Sequence, residues 1–184
     1  KPVYGPAPGY QEISAVATNG TAYFVAWNDP RSASSDDIYG SRVTADGLVL
    51  DRAGIALTTS AANQDDPAIS FDGTNYLVVW KDARNGINCD IYGARVSPTG
   101  ALLDSAGLAI SVTPESQADP SIAFGNTAYL IVWADARNGV SNIYGARVTP
   151  AGTVHDHQRV LRPRIDKALR STDGMGGDDH TFNN

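Results

Sequence analysis

Residues 64–96 carry the pattern that decides the fold, and they read QDDPAISFDGTNYLVVWKDARNGINCDIYGARV. The runs 67–71, 76–80 and 90–96 are short and rich in apolar and β-branched residues, as is typical of β-strands. An Asp-Gly pair between the first two runs is a hairpin turn signal. A further apolar run at 108–112 follows a Pro-Thr-Gly turn, so this stretch predicts four consecutive strands.

The same pattern occurs three times along the chain. The three tryptophans are 53 residues apart, and the Gln, Asp and Arg positions of the pattern recur with the same step. The Ile-Tyr-Gly triplets begin at Ile38, Ile91 and Ile143, so the last step is one residue shorter. This agreement indicates three copies of one supersecondary unit between about residues 11 and 156.

Four strands in roughly 50 residues, repeated along the chain, predict the blade of a β-propeller. We therefore expect an all-β chain with three four-stranded blades, because one blade alone cannot bury both of its faces. The expected boundaries are an N-terminal edge segment at 1–10, blade 1 at 11–63, blade 2 at 64–116, an incomplete blade 3 at 117–156 and a divergent tail at 157–184.

The repeat resembles that of TolB-like, WD-type propellers, which show a Pro-x-x-Ser-x-Asp-Gly turn, an apolar strand, an Arg-x-Gly loop and Ile-Tyr. Here these features are Pro67 to Gly73, the run 76–80, Arg84 to Gly86 and Ile91-Tyr92. Propellers of that family have six blades, so the resemblance implies that two copies close a six-bladed ring as a homodimer. The alternative is that the chain is a fragment of a longer propeller.

Composition excludes several classes of protein. The net charge of −6 over 184 residues argues against a nucleic-acid binder, which needs a basic face. No apolar run approaches the roughly 20 residues that span a bilayer. The single cysteine excludes an internal disulfide and a Cys-rich zinc site. The acidic balance favours an extracytoplasmic, periplasmic or secreted, origin.

Charged and aromatic residues recur in every unit at the end of the second strand. Because a catalytic site is normally built once, their repetition favours a structural role, with each Asp-Arg pair pinning a loop and each Trp packing between blades. The alternatives are a ring of charges that binds a ligand and tryptophans that stack on carbohydrate. The residues are Asp29, Arg31, Asp82, Arg84, Asp135, Arg137, Trp27, Trp80 and Trp133.

Carboxylates and amides gather just before the innermost strand of each blade. In a closed ring these positions face one mouth of the channel, where oxygen ligands suit a hard cation such as Ca²⁺ or a cationic ligand. The alternative is strand-entry capping, since Asp before Pro commonly starts a turn. The candidate ligand-binding residues are Gln11, Gln64, Gln117 and Asp65, and the candidate metal ligands are Glu12, Asp66 and Asp119.

The histidines lie near the C-terminal end of the sequence. His155 and His157 form an H-x-H triplet, and on a regular strand both imidazoles would share one face and could chelate Zn²⁺. The alternative is a solvated tail with no metal.

Three functions remain open. The first is a non-enzymatic scaffold that binds a protein, glycan or small molecule at an acidic channel mouth. The second is a metal-dependent hydrolase resembling propeller phosphotriesterases or lactonases, with its site in the channel of a dimer. The third is a truncated protein with at most accidental activity. No catalytic residue is assigned, because no nucleophile or phosphate-loop motif is present.

Overall fold

The computed structural model of the chain describes residues 11–31 and 35–159, with the side chains of 13, 14 and 156–159 outside the description. The predictions for segment 1–10 and for the tail beyond residue 159 therefore fall outside the described residues. Within the described part there is no helix, and so none long and apolar enough to span a bilayer.

The described residues form three antiparallel sheets of four strands each, and each sheet follows chain order from its first strand to its fourth. This confirms the prediction of an all-β chain with three four-stranded blades. The strands are β1 (Glu12–Thr18), β2 (Ala22–Asp29), β3 (Asp37–Thr44), β4 (Ile55–Ala56), β5 (Gln64–Phe71), β6 (Tyr76–Asp82), β7 (Asp90–Val96), β8 (Leu108–Ser111), β9 (Gln117–Gly125), β10 (Ala128–Asp135), β11 (Asn142–Val148) and β12 (Val154–Arg159).

The blades stack face to face, and the first strands of neighbouring blades, β1, β5 and β9, contact each other in turn. Successive side chains of a strand point to opposite faces of its sheet. In β6, Tyr76, Val78 and Trp80 pack against blade 1, whereas Leu77 and Val79 pack against blade 3. We call the face with Tyr76 and its equivalents the leading face of a blade, and the opposite one the trailing face.

Blade 3 differs from the others in its fourth strand. In blades 1 and 2 the residues Val49 and Leu102 make only isolated bridges, and the fourth strand forms later. In blade 3 the equivalent residue, Val154, begins a continuous strand that pairs with β11 through Arg159. The third sheet therefore has four strands, and the expected boundary between residues 156 and 157 falls inside β12.

An ion pair ties the third strand of blade 1 to the segment that follows it. Arg42 donates from Nε to Asp51 Oδ2 at 2.8 Å and from Nη2 to Oδ1 at 2.7 Å. These hydrogen bonds hold the pKa of Asp51 below its ordinary value, and they outweigh the opposing effect of burial.

We expect this pair to make stability dependent on pH. Because the folded-state pKa of Asp51 is depressed, its contribution is present above the unfolded pKa, near 4, and is lost as pH falls through the folded value. Asp51→Asn should therefore cost about 1 kcal/mol at pH 7 and almost nothing near pH 2. Urea unfolding of both proteins across this range measures the difference, and a cost that does not change with pH would contradict the assignment.

Candidate functional site

The recurring Asp-Arg pair braces the interior of each blade. In blade 2, Asp82 accepts hydrogen bonds from Trp80 Nε1 at 2.8 Å, from the Arg84 backbone N at 2.9 Å and from Arg84 Nη2 at 2.6 Å. The Arg84 guanidinium also lies 3.9 Å from the Tyr92 ring centroid and donates to the Ala106 carbonyl at 3.1 Å. One pair thus joins β6, β7 and the segment before β8.

The equivalent residues of blades 1 and 3 make the same Trp-Asp and Asp-Arg contacts. Trp27 donates to Asp29 at 2.9 Å and Trp133 to Asp135 at 3.1 Å, and each carboxylate is paired with the arginine two residues on. The three aspartates are at most 1% exposed. The carboxylates are closed to solvent in this conformation and are paired within their own blades, which is the arrangement that the structural interpretation expects.

The tryptophans occupy two different environments. Trp80 and Trp133 are 0% and 1% exposed, and each packs against the preceding blade, as expected for a packing residue. Trp27 is only partly buried and lines a groove of about 470 Å³ on the leading face of blade 1. Every apolar residue of that groove has an equivalent in blade 2 that packs on blade 1, so the groove is an uncovered blade face.

The glutamines at the start of the inner strands do not share one environment either, and the structure places Gln64 and Gln117 as the first residues of β5 and β9 and not before these strands. Gln64 and Gln117 are fully buried, with their amides donating to the Ala62 carbonyl and to Thr113 Oγ1, respectively. These amides support the loops that enter each blade. Gln11 is exposed. Of the three predicted ligand-binding amides, only Gln11 is therefore accessible in this conformation.

A compact polar cluster lies where β5 begins, between blades 1 and 2. Lys81 Nζ is 2.9 Å from Asp66 Oδ2 and 3.6 Å from Asp65 Oδ2, and all three side chains are about a quarter exposed. Asn28, from blade 1, donates through Nδ2 to Asp65 Oδ1 at 3.1 Å. We call Asn28, Asp65, Asp66 and Lys81 the Asp-Lys cluster.

The backbone at Asp66 is what places both carboxylates on one lysine. Asp66 has φ +56°, a left-handed conformation, and lies in a β-bulge between Asp65 and Ala68. A bulge breaks the strand alternation, so consecutive side chains can reach the same side. Asp119 repeats this conformation in blade 3, with φ +53°, but there Ala134 stands where blade 2 has Lys81.

The Asp-Lys cluster contains both hydrogen-bond donors and hydrogen-bond acceptors, and its charged groups shift each other's pKa. Burial raises the pKa of Asp65, and the charge of Lys81 opposes that change. Burial acts to lower the pKa of Lys81, but hydrogen bonding to Asp66 and the charges of both carboxylates raise it overall. Asn28 is 6% exposed, and its Oδ1 has no hydrogen-bond partner among the described residues.

The residues present do not fit a divalent cation at this cluster. Lys81 already provides the positive charge for both carboxylates, so a cation would have to displace it. Glu12 and Asp119 are exposed on the two other blades, and the described residues contain no group of three side chains suited to a metal. The calcium site therefore stays a prediction without geometric support.

The H-x-H triplet is interrupted by a change of register. His155 is exposed on β12 opposite Arg147, and the register shifts before Gln158, so one extra residue lies in this stretch of β12. Strict alternation, on which the shared face of His155 and His157 depended, does not hold there. The side chain of His157 lies outside the described residues, so the zinc site remains untested.

Sequence reasoning missed Lys81 as the partner of the acidic pair. The signal was present, because a lysine replaces Asn28 and Ala134 at that position of the repeat. The contact of Lys81 with both carboxylates could not be predicted because it depends on the bulge. On a regular strand, Asp65 and Asp66 would lie on opposite faces.

No protein-family profile matches the chain, and no curated protein matches it. Solved structures do. An α-L-arabinofuranosidase from Lactobacillus brevis is 15% identical, with TM-score 0.55 and coverage of 83% of this chain and 54% of its own. A family 117 glycoside hydrolase from Zobellia galactanivorans is 11% identical, with TM-score 0.57 and coverage of 83% and 58%. A β-1,2-mannobiose phosphorylase from Listeria innocua is 11% identical, with TM-score 0.54 and coverage of 82% and 59%.

At these identities the comparisons show the fold alone. The three sheets are blades of a partial β-propeller, and the chain spans a little over half the length of the neighbours named above. The arabinofuranosidase and the family 117 hydrolase have five-bladed-propeller-type folds, so the comparisons give no support to the TolB-like identity of the repeat. None of these three proteins is named as a phosphotriesterase or a lactonase.

Proposed function

We propose that this chain is a propeller module that binds carbohydrate at the Asp-Lys cluster. The observation that carries the proposal is the convergence of Asp65, Asp66 and Lys81 with Asn28 of the neighbouring blade at the start of an inner strand. The ends of the inner strands surround the mouth of a propeller channel, so a ligand there would be accessible from one side of the molecule.

The chemistry of the cluster suits a hydroxyl-rich ligand. A sugar hydroxyl donates one hydrogen bond and accepts others, so it can donate to a carboxylate of the cluster and accept from the Lys81 ammonium group. Charged hydrogen bonds of this kind are the strong ones in recognition. The partial exposure of all three side chains leaves room for such contacts while the Lys81 pairing holds the carboxylates in place.

Solved structures of similar fold also support this proposal. Three proteins of the same fold are named for activity on glycans, namely an arabinofuranosidase, a glycoside hydrolase and a mannobiose phosphorylase. Because the likeness is of fold only, the ligand is a proposal about this chain's own residues and not a transferred activity.

Loss of the cluster's charges should weaken binding. With arabino-, xylo- and mannooligosaccharides as probes, Asp66→Asn and Lys81→Met should each raise Kd by roughly 10-fold or more, since a charged hydrogen bond is worth about 1.5–3 kcal/mol. Asp46→Asn, which removes the same charge from an exposed turn, should leave Kd unchanged. Isothermal titration measures each protein, with and without EDTA.

Three outcomes would contradict this proposal. One is no binding of any probe by the parent protein, and another is equal binding by all the variants. A third is binding abolished by EDTA, which would point to the divalent cation and away from Lys81 as the positive charge of the site.

A second candidate function is glycosidic hydrolysis. The observation that favours it is a pair of carboxylates, Asp65 and Asp66, that lie 3.6 Å and 2.9 Å from one ammonium group, and burial raises the pKa of Asp65. Glycosidases commonly use two carboxyl groups that flank the scissile bond. Assay of the same incubations for new reducing ends decides between the two. Release of sugar by the parent and not by Asp65→Asn supports hydrolysis, and unchanged probes support binding alone.

A further inference from the structure

The leading face of blade 1 is exposed although its counterparts are buried. Tyr23 is 43% exposed, whereas the equivalent Tyr76 and Tyr129 are 1% and 0% exposed. Val16, on the same face, is 61% exposed. In blades 2 and 3 this face is covered by the preceding blade, whereas in blade 1 no blade among the described residues covers the same apolar surface.

The trailing face of blade 3 shows the complementary situation. Leu130 is 48% exposed, whereas its equivalents Phe24 and Leu77 are fully buried under the following blade. Ile143, equivalent to the fully buried Ile38 and Ile91, is only partly buried. The described chain thus presents, at its two ends, both halves of an interface that it already uses twice internally.

We propose that the leading face of blade 1 receives the trailing face of blade 3 from a second copy of this chain. The contact is head-to-tail, and two such contacts related by a two-fold axis close a ring of six blades. The contact continues an existing interface, because the surfaces that meet between copies are equivalent, position by position, to those that meet between blades 1 and 2 and between blades 2 and 3. It does not rest on carbohydrate binding.

The internal interfaces specify the contacts between copies. Between blades 1 and 2 the rings of Phe24 and Tyr76 lie 5.3 Å apart, which corresponds to Leu130 against Tyr23 of the partner subunit. Between blades 2 and 3, Tyr129 Oη donates to the Asn75 carbonyl at 2.9 Å. The corresponding bond between copies runs from Tyr23 to the Ala128 carbonyl of the partner subunit.

A glycine at the outer turn of each blade gives independent support. A Cβ on Gly100 or Gly152 would lie 2.9 Å or 3.0 Å from the arginine of the preceding blade, Arg42 or Arg95. Gly47, the equivalent in blade 1, has nothing within 4 Å of that position. The arginine equivalent to those two in blade 3 is the exposed Arg147, which the proposed contact brings against Gly47 of the partner subunit.

Native mass in solution is the first test. Light scattering should give 38.8 kDa, twice the chain mass of 19.4 kDa. Leu130→Arg should give a monomer, because it places a charge in an apolar contact. Leu103→Arg is the matched control, because Leu103 is 44% exposed but lies in the outer turn of blade 2, and it should remain a dimer. A monomeric parent protein, a mass of three or more copies, or identical masses for both variants would overturn the proposal.

Cross-linking then distinguishes head-to-tail from head-to-head contact and does not depend on how well Leu130→Arg folds. In a Cys89→Ser background, Tyr23→Cys and Leu130→Cys are prepared as separate proteins, mixed and treated with a short bifunctional maleimide. Head-to-tail contact predicts a covalent dimer only in the mixture. Cross-links in either protein alone would show a head-to-head contact, in which a face meets the same face of the other copy, and their absence everywhere would show that another occupant, such as a terminal segment of the same chain, covers the face. Either result overturns the proposal.

Discussion

Replacing Asp82 by alanine is expected to lower the free energy of unfolding by about 3–5 kcal/mol. Asp82 is fully buried and accepts hydrogen bonds from Trp80 Nε1, from the backbone N of Arg84 and from the Arg84 side chain. The substitution leaves the indole N–H without an acceptor and removes the counter-charge of a guanidinium that is only 26% exposed. Removing one partner of a buried ion pair lowers the free energy of unfolding by more than the intact pair contributes to it, because the other charge stays buried without a partner.

Urea unfolding measures this effect through the midpoint at constant slope. Arg84→Ala should also destabilise the protein strongly, because it leaves Asp82 buried without its counter-ion, although Trp80 continues to donate. Asp46→Ala removes a carboxylate from an exposed turn and should leave the midpoint unchanged. A loss of less than about 1 kcal/mol in Asp82→Ala would mean that the pair is dispensable and that other contacts pin the loop.

Trp133→Ala should cost about 3–5 kcal/mol, in line with other large-to-small substitutions of buried aromatic residues. Trp133 is 1% exposed and lies between blades 2 and 3, in a cluster with Leu77, Val79 and Ile131. Its removal opens a cavity on both sides of the interface, because two rigid sheets cannot close on the empty space without breaking their strand pairing.

Two substitutions refine that result. Trp133→Phe keeps most of the ring but loses the hydrogen bond from Nε1 to Asp135 at 3.1 Å, so it should cost clearly less than alanine. Leu103→Ala removes a half-exposed side chain and serves as the control for unfolding by the same method. If the alanine and phenylalanine variants were equally stable, packing between blades would not be the role of this tryptophan.

Part of the candidate site could be predicted from the sequence and part could not. The repeat register located carboxylates and amides near the start of each inner strand, because a repeat transfers position from one unit to the next, but β5 begins at Gln64 and so Asp65 lies within the strand and not before it as expected. The role of Lys81 could not be read in the same way. A one-residue bulge at Asp66 changes which side chains share a face, and bulges have no sure sequence signature beyond the Asp-Pro pair.

The same limit applies at the end of blade 3. The pattern that produces a late fourth strand in blades 1 and 2 is absent there, and the strand begins instead at Val154, where the other blades have only a bridge. Any nearby segment can pair with the unpaired N–H and C=O groups along the free edge of a sheet. Local composition does not determine which segment pairs there.

The sequence by itself determined the number of units and their four-strand composition, and it predicted which residues brace and pack each blade. It could do so because a spacing of 53 residues and alternation within strands are properties of the chain order alone. Only the tertiary structure decided that Gln64 and Gln117 are buried, that Lys81 joins Asp65 and Asp66, and that the faces at the two ends differ in exposure from those within. These properties depend on contacts between residues of different blades. The sequence of one repeat does not show which residues of the neighbouring blade it contacts.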